Sequence, residues 1–85
     1  MVVTTTYVTQ EEMPILYVTH ESGEGGEIIW QFHCDNGDYR PSVLQLVLLR
    51  EIVQRDEGVA GLASLPLGCS AKRKNVGDDW TIETL

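Results

Sequence analysis

Residues 27–35, EIIWQFHCD, alternate strictly between two sides. Ile28, Trp30, Phe32 and Cys34 share one, and Ile29, Gln31, His33 and Asp35 share the other. Successive strand residues point to opposite faces, so the pattern predicts a β-strand packed on the tryptophan side and wet on the other. Upstream, VVTTTYVT (2–9) is rich in β-branched residues and reads as a strand or a terminal arm. Residues 10–13 read as a turn, and ILYVTH (15–20), opened by Pro14, reads as a further strand. Between that strand and the tryptophan strand lies ESGEGG (21–26), whose glycines reach positive φ without steric cost and suit a hairpin loop. Asn36-Gly37 marks the next turn.

Pro41-Ser42 precedes a dense apolar run. Ser42 with Gln45 three residues later matches a capping box, in which two side chains satisfy the backbone donors left free at a helix start. A helix is therefore expected over 43–55. Leu46, Leu48, Leu49, Ile52 and Val53 would converge on one side of a 3.6-residue wheel, with Arg50 and Gln54 pointing away and Val43 and Val47 on the back. Asp56-Glu57-Gly58 ends the helix, and VAGLASL (59–65) is long enough for a second short helical turn closed by Pro66 and Gly68. Residues 69–74 and 80–84 form a candidate C-terminal hairpin around 75–78, with Trp80 and Ile82 on one face of its second arm. Strands, helix, strands is the order of an α+β fold. The expected architecture is an antiparallel sheet of about four to five strands with one main helix packed on one face, in a single domain spanning 1–85.

Composition agrees with a folded chain, at 42% hydrophobic and 22% charged residues. No apolar run approaches the roughly 20 residues that cross a bilayer, so no membrane association is expected. The N-terminus has neither a basic start nor an extended apolar region of the secretory type, which favours a cytoplasmic protein. The net charge of −7 is uneven: no lysine or arginine precedes Arg40, yet Glu11, Glu12, Glu21, Glu24, Glu27, Asp35 and Asp38 do. Such a half repels a phosphate backbone, so nucleic acid is not expected as a partner, whereas a basic protein surface would be attracted.

Residues that could carry chemistry are sparse. Cys34 and Cys69 lack the close spacing of a disulfide framework or a zinc ribbon and read as free thiols. His20 and His33 lie on different strands near opposite ends of the proposed hairpin, and no metal site is expected. ESGEGG lacks the lysine of a phosphate-binding loop. A thiol nucleophile needs a base and an electropositive setting, for which Cys69, just before Lys72 and Arg73, is the better placed of the two cysteines. The expectation is a non-enzyme with no cofactor, the rival being a small thiol-dependent enzyme centred on Cys69.

The triplet Lys72-Arg73-Lys74 stands out in an acidic chain. On a strand, Lys72 and Lys74 face one way and Arg73 the other. The two lysines then decorate a solvated or edge face, or meet a partner, and Arg73 points toward the layer of Cys69 and Ala71 with its head paired to an acid.

Several of these segments together resemble a family of small bacterial domains of unknown function associated with immunity proteins of polymorphic toxin systems. The shared features are YVTH, then WQF after a Gly/acid loop, then a helix ending near Ile52-Val53 and Asp56, then Leu65-Pro66-x-Gly68-x-x-Ala71-x-Arg73 and a closing Trp80. The resemblance spans about 15–80 and brings no catalytic residues with it. It implies capture of a toxin by surface complementarity, and many toxins that act on nucleic acid are basic. The residues expected to meet such a partner are the hairpin acids Glu21, Glu24 and Glu27, the wet side of the tryptophan strand (Gln31, His33, Asp35), and Lys72 and Lys74. A further reading is a structural subunit or homodimer, joined through Val43 and Val47 or through an edge strand over 2–8.

Overall fold

The computed structural model describes all residues 1–85 and has an α+β architecture. Six strands form one sheet: β1 (Val2–Thr5), β2 (Tyr17–Ser22), β3 (Ile28–His33), β4 (Leu44–Val47), β5 (Cys69–Lys72) and β6 (Thr81–Thr84). Their spatial order is β4-β1-β3-β2-β5-β6. Every neighbouring pair is antiparallel except β1 with β3, so the sheet is mixed. Two short helices, α1 (Thr6–Thr9) and α2 (Leu49–Arg55), and two 3-10 turns, Pro41–Val43 and Glu57–Leu62, complete the chain.

Cross-strand partners share a face, and the register therefore divides the sheet cleanly. Val18 lies opposite both Phe32 and Ala71, and His20 opposite both Trp30 and Cys69. These residues, with Val2, form the inner face. The core is a single cluster in which Val2, Val18, Phe32 and Ala71 of that face meet Val8, Ile15, Cys34, Ile52, Val59, Leu62 and Leu65. All helical segments that contribute to the core thus cover one side of the sheet.

The other side, the outer face, carries Tyr17, Thr19, Glu21, Ile29, Gln31, His33, Ser70 and Lys72, with Thr5, Leu44 and Leu46 toward the β4 edge. Its buried members, Thr5, Thr19, His33 and Ser70, are all polar.

The largest departure from expectation lies at 43–55. Residues Leu44–Val47 pair with β1 as a strand, and the helix starts only at Leu49. Ser42 makes no capping bond; Pro41 opens a 3-10 turn there, after an extended Arg40. An extended β1 leaves a row of backbone donors and acceptors that must be paired, and the apolar run Leu44–Val47 satisfies them as readily as it makes a helix. The strand expected over 2–9 stops at Thr5, where the chain turns into the four-residue α1 and puts Val8 into the core. β1 is also an interior strand, so 2–8 offers no free edge. Ile28, expected on the packed side, belongs to the inner face by register but is 62% exposed, because it lies at the hairpin end beyond the helical cover. Turn chemistry is realised at Gly26, Gly37, Gly68 and Gly77, all with φ between 81° and 88°.

Candidate functional site

The outer face collects Glu21, Gln31, His33, Asp35 and Lys72 from three different segments. β2 and β3 lie side by side with Tyr17 opposite His33 and Thr19 opposite Gln31, and β5 adds Lys72 opposite Tyr17. Three polar side chains run in series. His33 Nε2 donates to Gln31 Oε1 at 2.9 Å, and Gln31 Nε2 donates to Glu21 Oε1 at 2.8 Å. Because the glutamate accepts, the glutamine oxygen is left to accept from the histidine, and this orders the tautomer of a neutral imidazole.

His33 was expected on a wet surface, but it is 3% exposed. Tyr39, arriving from the loop after β3, sets its ring edge-on to the imidazole at 4.8 Å, and Tyr17 lies on the other side at 6.4 Å between centroids. Burial lowers the His33 pKa below its ordinary value, partly opposed by the negative charge of Asp35. The phenol of Tyr39 is raised, first by burial and then by the same Asp35. His33 Nδ1, Thr5 Oγ1 and Thr19 Oγ1 are buried on this face without a hydrogen-bond partner among the protein's groups. The three atoms are carried by the adjacent strands β1, β3 and β2.

Asp35 adopts a left-handed conformation, φ 63°, just after β3, a geometry that aspartate tolerates better than most residues. It stands 3.7 Å from Lys72 Nζ, which also lies 5.1 Å above the Tyr17 ring. Lys72 is therefore answered by a carboxylate and an aromatic face together. Lys74 is exposed beyond the end of β5, on an open polar cleft of about 580 Å³ that also involves Asp35, Asp78, Asp79 and Glu83.

The hairpin acids do not form one patch. Glu21 is engaged with Gln31, Glu24 is exposed at the tip, and the Glu27 carboxylate folds back over Gly23, whose N–H bonds the Glu27 carbonyl at 2.7 Å. Tyr17 and Tyr39 belong to the same surface and were not singled out from the sequence. Tyr17 could have been found, since Tyr17, Thr19 and Glu21 alternate with Val18 and His20. Tyr39 sits in a turn, and nothing in its neighbourhood predicts its contact with His33.

Arg73 points inward, as the alternation requires. Its side chain is 1% exposed and ion-paired to Asp56, its Nε and Nη2 donate to the Ile15 carbonyl at 3.1 and 2.9 Å, and its guanidinium lies 4.1 Å from the Trp80 ring centroid. It is a structural clamp rather than part of the outer face.

Both cysteines are free thiols, Cys34 buried and Cys69 half-buried. Cys69 lies across from His20 on the inner face, an arrangement relevant to thiol chemistry. His20 Nδ1 donates to the Leu65 carbonyl at 2.7 Å, which leaves the lone pair on Nε2, and the ring stacks on Trp30 at 3.9 Å, but no hydrogen bond joins the imidazole to the Cys69 thiol. His20 and His33 are on opposite faces of the sheet. Beside Trp30, an apolar cleft of about 350 Å³ opens between Phe32, Leu49, Val53, Val59 and Leu62. No helix is long and apolar enough to cross a membrane.

Compared with known proteins, the chain matches no family model, no curated protein and no solved structure.

Proposed function

We propose that the molecule is a non-catalytic protein-binding domain that meets its partner through the outer face of the sheet. The observation that carries this reading is the cluster of Tyr17, Gln31, His33 and Tyr39, flanked by Glu21 on one side and the Asp35–Lys72 pair on the other. Half-exposed tyrosines held by neighbouring side chains present large contact area at low entropic cost, and they are enriched where protein interfaces concentrate their binding energy.

Binding fits the geometry better than catalysis. A general base needs an accessible lone pair, whereas one nitrogen of His33 is bonded to Gln31 and the other is buried. Charge favours a basic partner: Asp35 and Lys72 offset each other, Glu21 and Glu83 remain on the face, and Glu24 and Glu27 stand at its hairpin end. An immunity-type role, in which a basic toxin is held against this face, is the specific form of the proposal suggested by the family resemblance of 15–80.

The test is capture from host lysate by the tagged domain, washed at low and high salt, beside two variants. Glu21→Lys/Glu24→Lys/Glu27→Lys reverses the acidic end, and Tyr39→Ala removes the exposed ring. A basic protein held by the wild type, lost at high salt and lost by both folded variants is the expected result. Equal capture by all three proteins would rule out the outer face as the contact.

A further inference from the structure

β4 ends the sheet: β1 lies on one side of it and no strand on the other. Alternate backbone N–H and C=O groups of Leu44–Val47 therefore face away from the sheet, and natural proteins usually blunt such an edge with charge, proline or a bulge. Nothing of the kind is present within β4. Between Arg40 and Arg50 the chain carries no charged residue. The opposite edge, β6, differs, since it contains Glu83 and follows Asp78 and Asp79.

Leucines mark the bare edge at two-residue spacing. Leu44, Leu46 and Leu48 are 37%, 65% and 40% exposed. Leu48 still has extended backbone, φ −75° and ψ 141°, so all three project to the outer side. Gln45 and Val47, half-buried, alternate with them toward the inner layer, where Gln45 is hydrogen-bonded to Thr9.

We propose that β4 is the seam of a homodimer, paired antiparallel with β4 of a second copy about a two-fold axis beside Leu46. The stripe is symmetric about that residue. Antiparallel pairing centred there sets Leu46 opposite Leu46, Leu44 opposite Leu48 and Gln45 opposite Val47, which is a closed, self-complementary contact. A shift by one residue sets the leucines of one copy beside Gln45 and Val47 of the other, so the apolar stripe itself selects the register. Charge leaves room for a second copy at this place. Two molecules of net charge −7 repel over most of their surfaces, whereas the run from Pro41 to Leu49 carries no charge. The resulting twelve-stranded sheet places both outer faces on one side. A single strand edge with three leucines is a small interface, so the dimer forms in the micromolar range.

Sedimentation velocity over roughly 1 to 500 µM, a range that brackets such an affinity, tests the seam. The wild-type mass is expected to rise from 9.5 kDa toward twice that value with concentration. Leu46→Lys, at an exposed position, should stay monomeric throughout with an unchanged circular dichroism spectrum, while Ile82→Lys on the β6 edge should behave as wild type. A wild type that remains monomeric at every concentration overturns the proposal, as does a Leu46→Lys variant that dimerises normally. A second measurement does not depend on that variant: in a Cys69→Ser background, Leu46→Cys should form a disulfide-linked dimer faster than Ile82→Cys. Equal or slower linkage through residue 46 overturns the seam.

Discussion

Arg73 and Asp56 form a buried ion pair that joins β5 to the 3-10 turn after α2. Both partners have further obligations. Arg73 reaches the Ile15 carbonyl through two nitrogens and stacks on Trp80, while Asp56 also accepts from the Gly58 N–H at 2.9 Å and so caps the 3-10 turn. Trp80 in turn donates its indole N–H to the Gly58 carbonyl at 3.2 Å. Four segments distant in sequence are thus tied at one guanidinium.

Removing one partner of such a pair leaves the other charge buried and uncompensated, which costs about 3–5 kcal/mol. Asp56→Ala is expected to destabilise the fold by that order, and Arg73→Lys by a smaller but clear amount, because an ammonium cannot serve Ile15 and Asp56 with the same fork. Urea unfolding followed by tryptophan fluorescence checks both. A loss below about 1 kcal/mol for Asp56→Ala, the range of a surface pair, would mean that the clamp contributes no more than an exposed contact.

Gly58 lies against this clamp. A Cβ there would stand 3.0 Å from both Arg73 Nη1 and Asp56 Oδ1, and the guanidinium has little room to retreat because Ile15 and Trp80 hold it. Gly58→Ala is therefore expected to destabilise by roughly 1–3 kcal/mol, as overpacking does, despite reducing the freedom of the unfolded chain. A neutral or stabilising result by thermal denaturation would show that Arg73 can move without loss.

His33 makes stability depend on pH. Its folded-state pKa is lowered by burial, so the unfolded chain takes up a proton near 6.5 while the folded chain still resists it. Its contribution is complete above pH 6.5 and is lost as pH falls below that value toward the folded pKa. Urea midpoints at pH 8, 7, 6 and 5 should be level at the upper two and decline at the lower two. His33→Gln should flatten the decline between pH 7 and 5. A decline that persists unchanged in the variant would assign it to another group.

Asp38 acts in a separate, more acidic window. Hydrogen bonds from Arg40 and Tyr7 hold its carboxyl well below the usual range, so its contribution is present above the ordinary value of 3.8 and is lost as pH falls below it. Tyr7→Phe should narrow that acid-dependent loss, as read by circular dichroism between pH 4 and 2, and an identical acid transition would count against the Tyr7 bond.

Cys69 discriminates the thiol-enzyme alternative. With no hydrogen bond between its sulfur and the His20 imidazole, whose ring stacks on Trp30, Cys69 is expected to alkylate at neutral pH no faster than the same thiol in the unfolded chain. Cys34 should react only after unfolding, since it is buried. Rapid alkylation of Cys69 that disappears in a His20→Gln variant would revive the nucleophile reading.

By itself the sequence determined the features that depend on near neighbours. Strict alternation through Ile28–His33 identified the central strand and the side on which Trp30 and Phe32 pack. Glycine and asparagine punctuation located the turns, and the alternation of Lys72, Arg73 and Lys74 placed the arginine inward. Local periodicity suffices there because side-chain direction along a strand follows from the backbone alone.

Tertiary structure decided what depended on a partner far along the chain. Leu44–Val47 is apolar enough for a helix or a strand, and only the open side of β1 made it a strand and turned its leucines into an exposed edge stripe. His33 has the polar position that alternation assigns, but Tyr39 and Gln31 bury it. Asp56 is one acid among thirteen, and its selection as the partner of Arg73 follows from the path of the 3-10 turn across the inner face. Pairing energies between distant segments leave no trace in local pattern, because each segment is compatible with several partners until the sheet order excludes all but one.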